Sequence, residues 1–179
     1  MTMAPGLRKF ALAVHLTLSI GWIGAVAAYM ALDVATATSQ EAQLLRSAYL
    51  GMDLIARNVL VPLAFASLIT GLVMSLGTKW GLFRHYWVLI SLVMTIIATA
   101  VLLVETRTIS HLAGVAADPT TSADKLRALG STLVHSVGGT VVLVVILVLN
   151  LYKPQGMTRY GCRRQQEERT QRGRTAAVP

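Results

Sequence analysis

Residues 86–104 read YWVLISLVMTIIATAVLLV, nineteen consecutive residues without a charged side chain. A transmembrane helix needs about 20 predominantly apolar residues, because each residue adds about 1.5 Å of length across a hydrocarbon core about 30 Å thick. This stretch is therefore long and apolar enough to cross a bilayer. A helix satisfies its backbone hydrogen bonds internally, so the stretch predicts an α-helical membrane protein.

Three more uncharged stretches of spanning length lie on either side of it, Phe10–Leu32, Asn58–Thr78 and Ala128–Tyr152. The first exceeds the roughly 7–15 residues of a signal-peptide core, so it is predicted to remain as a span. The predicted fold is all-α, an integral membrane four-helix bundle formed by residues 1–152. The remaining residues, 153–179, are predicted to be a basic cytoplasmic tail.

Composition supports the membrane class. The chain is 54% hydrophobic and 13% charged, against about 25% charged residues in a typical soluble domain. Its net charge of +8 does not indicate nucleic acid, because seven of the sixteen basic residues follow Tyr152. A basic cluster beside a span is typical of membrane topology and of binding to anionic lipids. The predicted partners are the lipid bilayer and, at the basic tail, anionic headgroups.

The distribution of basic residues predicts the orientation. With the N-terminus inside, eleven lysines and arginines lie on the inner side and five on the outer side. The inner set is Arg8, Lys9, Lys79, Arg84, Lys153, Arg159, Arg163, Arg164, Arg169, Arg172 and Arg174. Six of the eight acidic residues, Asp33 among them, fall on the outer side. The positive-inside rule predicts a multi-pass protein of the bacterial inner membrane with both termini in the cytoplasm.

Both long outer connections, residues 33–57 and 105–127, carry helix signals. Ser39 is predicted to cap a helix that continues into the second span and bends near Pro62, which lacks a backbone donor. The pair Thr121 and Asp124 has the spacing of a capping box at the start of the fourth helix. Helices 2 and 4 are therefore predicted to extend on the outer side.

Polar side chains from all four spans reach one level near the outer interface. At about 1.5 Å per residue, Tyr29, Asn58, Glu105 and His135 have similar depths. Glu105 and His135 are predicted to come within hydrogen-bonding reach and to form the centre of a cofactor-binding site. With His111 they also have the ligand types of a metal site. The alternative is that polar residues simply gather at headgroup level.

The inner half of the bundle holds a second pair, His15 and Trp22, seven residues apart and so on one helix face. Both are predicted to face the bundle interior and to contribute to ligand binding. His15 lies about 18 Å from His135 in depth, too far for one small ligand to contact both. Gly138 and Gly139 leave room either for a flat ligand or for close helix packing, and packing is the preferred interpretation.

The motif His15-x6-Trp22-x-Gly24 resembles the first helix of membrane proteins related to the copper-resistance D proteins and the HemJ-type protoporphyrinogen oxidases. This distant resemblance implies that His15 is a haem or metal ligand. HemJ-type proteins tend to have a lysine early in the third helix and a histidine near its far end. This chain has Ser91 and Glu105 at those places, so the resemblance carries a role to His15 only.

Residues 46–161 are similar to an uncharacterised family of bacterial four-helix integral membrane proteins. The similarity lies in the segments RSAYLGMDL, SLGTKWGLFRHYWVL and LYKPQGMTRYG. It implies the four-helix fold and no activity.

The sequence contains no HExxH, GxSxG or P-loop pattern, so it predicts no hydrolytic enzyme. The predicted function is binding of a small ligand, namely haem b, a metal ion or a quinone, with a role in redox chemistry or metal handling. The alternative is a non-catalytic membrane subunit or assembly factor. Such a protein would dock through its outer helices and basic tail to a second copy or to a membrane complex.

Single cysteines at residue 40, at residue 120 and in the tail test the orientation. Because the basic residues divide eleven to five, a membrane-impermeant thiol reagent added to intact cells should label positions 40 and 120 and spare the tail. Labelling of the tail but not of the two loops would overturn the predicted topology.

Overall fold

The structure, a computed structural model, describes residues 3–78, 81–154 and 156–176, with side chains as far as residue 171. The described chain is helical, with seven α-helices and one π-helical segment, Ala56–Leu60. The α-helices are α1 Pro5–Thr38, α2 Ala42–Ile55, α3 Val61–Gly77, α4 Tyr86–Ala117, α5 Ala123–Ala128, α6 Leu133–Tyr152 and α7 Arg159–Ala176. Four helical stretches, α1, α2 through α3, α4 and α6, are long and apolar enough to cross a membrane.

The bundle is a ring in which α1 and α4 each pack against both α3 and α6. At one end the Met3 amide donates to the Gly77 carbonyl at 3.0 Å, and the Tyr86 amide donates to the Gly156 carbonyl at 3.3 Å. We call this the terminal end, because both the first described residues and α7 adjoin it. The opposite end, formed by residues 38–42 and 117–133, is the loop end, where α2 packs between α1 and α4.

The first and third spans extend beyond the predicted bounds at the loop end. α1 continues to Thr38 instead of ending at Leu32, and α4 continues to Ala117 instead of Val104. Tertiary packing accounts for the extension, since Ile109, Ala113 and Ala116 on α4 are buried members of the core. The predicted outer connections are therefore mostly helical.

α2 continues into α3, as predicted, but the irregularity precedes Pro62. Residues 56–60 form a π-helical turn, in which the Val61 amide donates to the Ala56 carbonyl. Pro62 has no amide proton for the Asn58 carbonyl, so the turn before it loosens. Ser39 does not cap α2 in the predicted way. It ends α1, and its hydroxyl accepts from the Glu41 amide at 3.1 Å.

The fourth span is interrupted where a continuous helix is predicted. The capping box is also wrong, because the side chain that caps α5 is Ser122, which accepts from the Lys125 amide at 3.3 Å. The Thr121 hydroxyl donates instead to the Val115 carbonyl. α5 ends at Ala128, and Gly130 follows with a φ of +76°, a conformation that favours glycine. Helix 4 is thus extended at the loop end only by a short, separate helix.

The basic tail contains the helix α7, where sequence alone predicts only a polar segment. The Thr158 amide donates to the Arg84 carbonyl at 3.0 Å, and the Arg84 guanidinium pairs with Glu168. These contacts hold the start of α7 against the connection between α3 and α4. Lys79 lies outside the described residues, and so do the side chains of Arg172 and Arg174.

The guanidinium group of Arg46 holds the loop end closed. It donates to three backbone carbonyls, those of Ala116 at 2.7 Å, Asp118 at 2.6 Å and Thr121 at 2.6 Å. These are the last carbonyls of α4 and the turn after it, which have no partner within the helix.

Replacement of Arg46 by Met should lower the free energy of unfolding by about 2 kcal/mol, because three carbonyls lose a charged donor. Thermal unfolding of purified protein in detergent measures the change. Arg107→Met is the matched control, since Arg107 is an exposed residue of α4. Equal unfolding temperatures for the two variants would contradict the role of Arg46.

Candidate functional site

A cavity of about 250 Å³ lies inside the bundle toward the loop end. Its walls come from α1, α4, α6 and the π-helical segment. Most lining side chains are aliphatic or aromatic. The lining residues are Trp22, Val26, Tyr29, Ala56, Leu60, Ile97, Ala98, Val101, Leu102, Glu105, Thr106, Ile109, Val134, His135, Ser136, Gly138, Gly139, Val142 and Leu143.

Among the described residues that line this cavity, Glu105 supplies a carboxylate and His135 an imidazole. His135 Nε2 lies 3.3 Å from Glu105 Oε1, so the predicted contact is present. The Glu105 side chain is 18% exposed and the His135 side chain 56%. The carboxylate is therefore mostly buried, while more than half of the imidazole is exposed at the surface of the bundle.

The glycine pair on α6 provides space rather than close packing. A Cβ atom added at Gly138 or at Gly139 would meet no atom within 4 Å, although both residues line the cavity. The preferred interpretation of this pair from sequence is thus wrong, and the alternative of room for a ligand matches the geometry. Trp22 and Tyr29, both buried on α1, line the same cavity.

A fully buried carboxylate, Asp33, organises the polar side of this region. It accepts from the Thr132 amide at 2.9 Å, the Thr132 hydroxyl at 3.0 Å and the Ser136 hydroxyl at 2.8 Å. Thr132 directly precedes α6, so Asp33 caps that helix from α1. Negative charge at a helix N-terminus is favourable, because the first amides point toward it.

Two tyrosines complete the network around Asp33. Tyr29 Oη lies 3.2 Å from Thr132 Oγ1, and Tyr49 donates to the Gly130 carbonyl. Since the Thr132 hydroxyl donates to Asp33, it accepts from Tyr29. Tyr29 thereby connects the cavity wall to the capped end of α6.

The sequence prediction treats Asp33 as an outer-loop residue and leaves it out of the site. In the structure it lies within α1 and is completely buried. Its position continues one helix face, since Trp22, Val26, Tyr29, Asp33 and Thr36 follow at steps of 4, 3, 4 and 3 and are all buried. That spacing was available in the sequence, but a charged residue at the end of an apolar run is normally read as the end of the span.

Two predicted site residues do not reach the cavity. Asn58 is exposed, and its amide donates to the Leu54 carbonyl at 3.1 Å. It lies between Ala56 and Leu60, which line the cavity, and so points to the opposite side of the helix. His111 is exposed on α4, in a separate shallow groove with Asp118. It is six residues from Glu105, which places the two on different faces.

His15 faces the bundle interior, as predicted, but away from the cavity. Its Nδ1 lies 2.9 Å from Thr70 Oγ1 on α3. A Cβ atom at Gly71 would come within 3.2 Å of His15 Cε1, so the glycine makes room for the ring. Because the Thr70 hydroxyl donates to the Ala66 carbonyl, it can accept from His15. The pair therefore joins α1 to α3.

The described residues contain no group of three His, Cys, Asp or Glu side chains positioned to hold a metal ion. The described residues that line the cavity include one imidazole and one carboxylate, and no lysine or arginine is among them.

Comparison with known proteins identifies no relative: no family model, no curated protein and no solved structure matches the chain. The resemblances described above remain predictions.

Replacement of Asp33 by Asn should lower the free energy of unfolding by about 2–3 kcal/mol, because hydrogen bonds to a charged acceptor are lost at a buried helix terminus. Thermal unfolding in detergent measures this loss. Glu41→Gln is the control, since Glu41 is exposed and its side chain caps no helix. An Asp33→Asn variant as stable as the control would show that the cap contributes nothing.

Proposed function

We propose that this protein is a ligand-binding protein of the bacterial inner membrane, and that its ligand is a small lipid-soluble molecule of the quinone class. The ring would occupy the cavity between α1, α4 and α6, with its polar oxygens toward Glu105 and His135. The observation that carries the proposal is an acid–imidazole contact of 3.3 Å at the edge of an otherwise apolar cavity.

The shape and chemistry of the cavity favour such a ligand. Small-molecule sites are mostly apolar, with a few polar groups that orient the ligand. Trp22 offers an aromatic wall, and Gly138 and Gly139 leave open space on α6. Two lining residues, Ile97 on α4 and Val134 on α6, are also exposed on the outside of the bundle, so a lipid-soluble molecule can reach the cavity from the bilayer.

The other predicted ligands fit the residues less well. Structural and catalytic metal sites are typically built from three or four protein ligands, whereas the cavity holds one imidazole and one carboxylate. The propionates of haem b are usually neutralised by basic side chains, and none lines the cavity. A quinone ring needs only hydrogen-bonding partners, so it is the ligand we retain.

The orientation belongs to the same proposal. With both termini in the cytoplasm, the cavity lies nearer the outer leaflet, and the basic residues of α7 lie beside the inner one. Arg159, Arg163, Arg164 and Arg169 are exposed. Each basic residue close to an anionic surface contributes about 1 kcal/mol to binding.

The second candidate function is a non-catalytic membrane subunit or assembly factor. The exposed basic surface of α7 favours it, since a charged helix attached to the bundle by Thr158 and Arg84 could contact an acidic protein as well as lipid. A variant that lacks residues 159–179 separates the two functions. Ligand binding in the cavity should survive this deletion, whereas docking through α7 should not.

A short-chain benzoquinone titrated into the purified protein by calorimetry tests the ligand. Gly139→Leu should abolish binding, because the new side chain fills the cavity without meeting an atom within 4 Å at its Cβ. Gly24→Leu is the matched control, a glycine of α1 that is exposed and equally free of neighbours.

Binding in the wild type and in Gly24→Leu, but not in Gly139→Leu, is the expected result. Failure of the wild type to bind either the quinone or its quinol, or equal binding to all three proteins, would refute the proposed site. An absorption spectrum of the purified protein with a haem Soret band would favour haem over a quinone.

A further inference from the structure

The second carboxylate oxygen of Glu105 has no hydrogen-bond partner among the described residues, although it is buried. Its companion Oε1 faces His135 Nε2. Buried polar atoms almost always have a partner, because an unsatisfied group retains the full cost of its lost hydration. Oε2 is therefore an acceptor that needs a donor from outside the chain.

No hydroxyl group on the cavity wall is available to supply that donor. Thr106 donates to the Leu102 carbonyl at 2.7 Å, and Ser136 donates to Asp33 at 2.8 Å. The Tyr29 hydroxyl bonds to Thr132. Each hydroxyl has one proton, so all three are already used.

From this arrangement we infer that the cavity selects the reduced, quinol form of its ligand over the oxidised quinone. The inference rests on the proposed function and specifies its ligand further. A quinol carries hydroxyl groups, one of which can donate to Glu105 Oε2. A quinone has only carbonyl acceptors, whose lone pairs would face those of the carboxylate oxygen.

The selection has an electrochemical consequence. A site that binds the reduced form more tightly stabilises it and raises the midpoint potential of the bound couple. Since a hydrogen bond to a charged acceptor is stronger than a neutral one, we expect the quinol to bind about tenfold or more tightly than the quinone. A tenfold preference raises the potential of a two-electron couple by about 30 mV.

Anaerobic calorimetry on the full-length protein, with a short-chain benzoquinone and its separately prepared quinol, measures the ratio of the two dissociation constants. Glu105→Gln keeps the size of the side chain but presents both a donor and an acceptor, so its ratio should fall to near one. Glu41→Gln is the matched control, because Glu41 is an exposed carboxylate outside the cavity and should leave the ratio unchanged.

Equal affinities of the wild type for both forms would overturn this inference and leave the proposed function intact. An ordered water on Oε2 would produce that result, since it satisfies the oxygen with either ligand. Tighter binding of the quinone would overturn the inference as well. If neither form bound at all, the proposed function itself would fail. The ratio of the two dissociation constants of the wild type tests the inference even if Glu105→Gln does not fold.

Discussion

The carboxylate of Asp33 accepts a hydrogen bond from the amide of Thr132, the residue directly before α6. It lies inside the bundle, out of contact with solvent. An uncompensated charge in that position would be strongly destabilising, and here one amide and two hydroxyl groups surround it within 3.0 Å. The contact determines where the fourth span begins. With Tyr49 on the Gly130 carbonyl, it also fixes the break between α5 and α6. Two of the residues that donate to Asp33, Thr132 and Ser136, lie close to His135 in the chain.

The cavity follows from that fixed helix start. Because α6 begins at Leu133, the His135 imidazole is level with Glu105 on α4, and Gly138 and Gly139 come one turn later on the cavity wall. The π-helical turn before Pro62 brings Ala56 and Leu60 to the same space. Two local departures from regular helix, one on each side of the bundle, thus shape a cavity between otherwise regular helices. The contact between Glu105 and His135 and the orphaned oxygen of Glu105 then give this space its chemistry.

Much of this arrangement is predictable from sequence, and the rest has definite physical reasons. Uncharged runs predict four spans because the bilayer excludes charges and fixes length, and depth alone brings Glu105 beside His135. The depth of Asn58 along its helix does not determine which side of the helix it faces, because the π-helical segment Ala56–Leu60 changes the helix register at this residue. Depth also does not predict that Asp33 is buried. Its hydrogen-bonding partners lie at the start of α6, about a hundred residues later in the chain, and only the folded structure brings them together. Gly138 and Gly139 are ambiguous in sequence for the same reason. Whether a glycine provides open space or close helix contact depends on the residues that face it in the folded structure.

A photoreactive benzoquinone, irradiated with the protein in lipid nanodiscs and located by peptide mass mapping, tests most directly whether the cavity holds a ligand. The account predicts label within residues 97–109 of α4 and 134–143 of α6, the segments that contain the cavity-lining residues of those helices. It also predicts that excess unlabelled quinol suppresses this label. Label spread over the lipid-facing surfaces of all four spans, and unaffected by competitor, would contradict it.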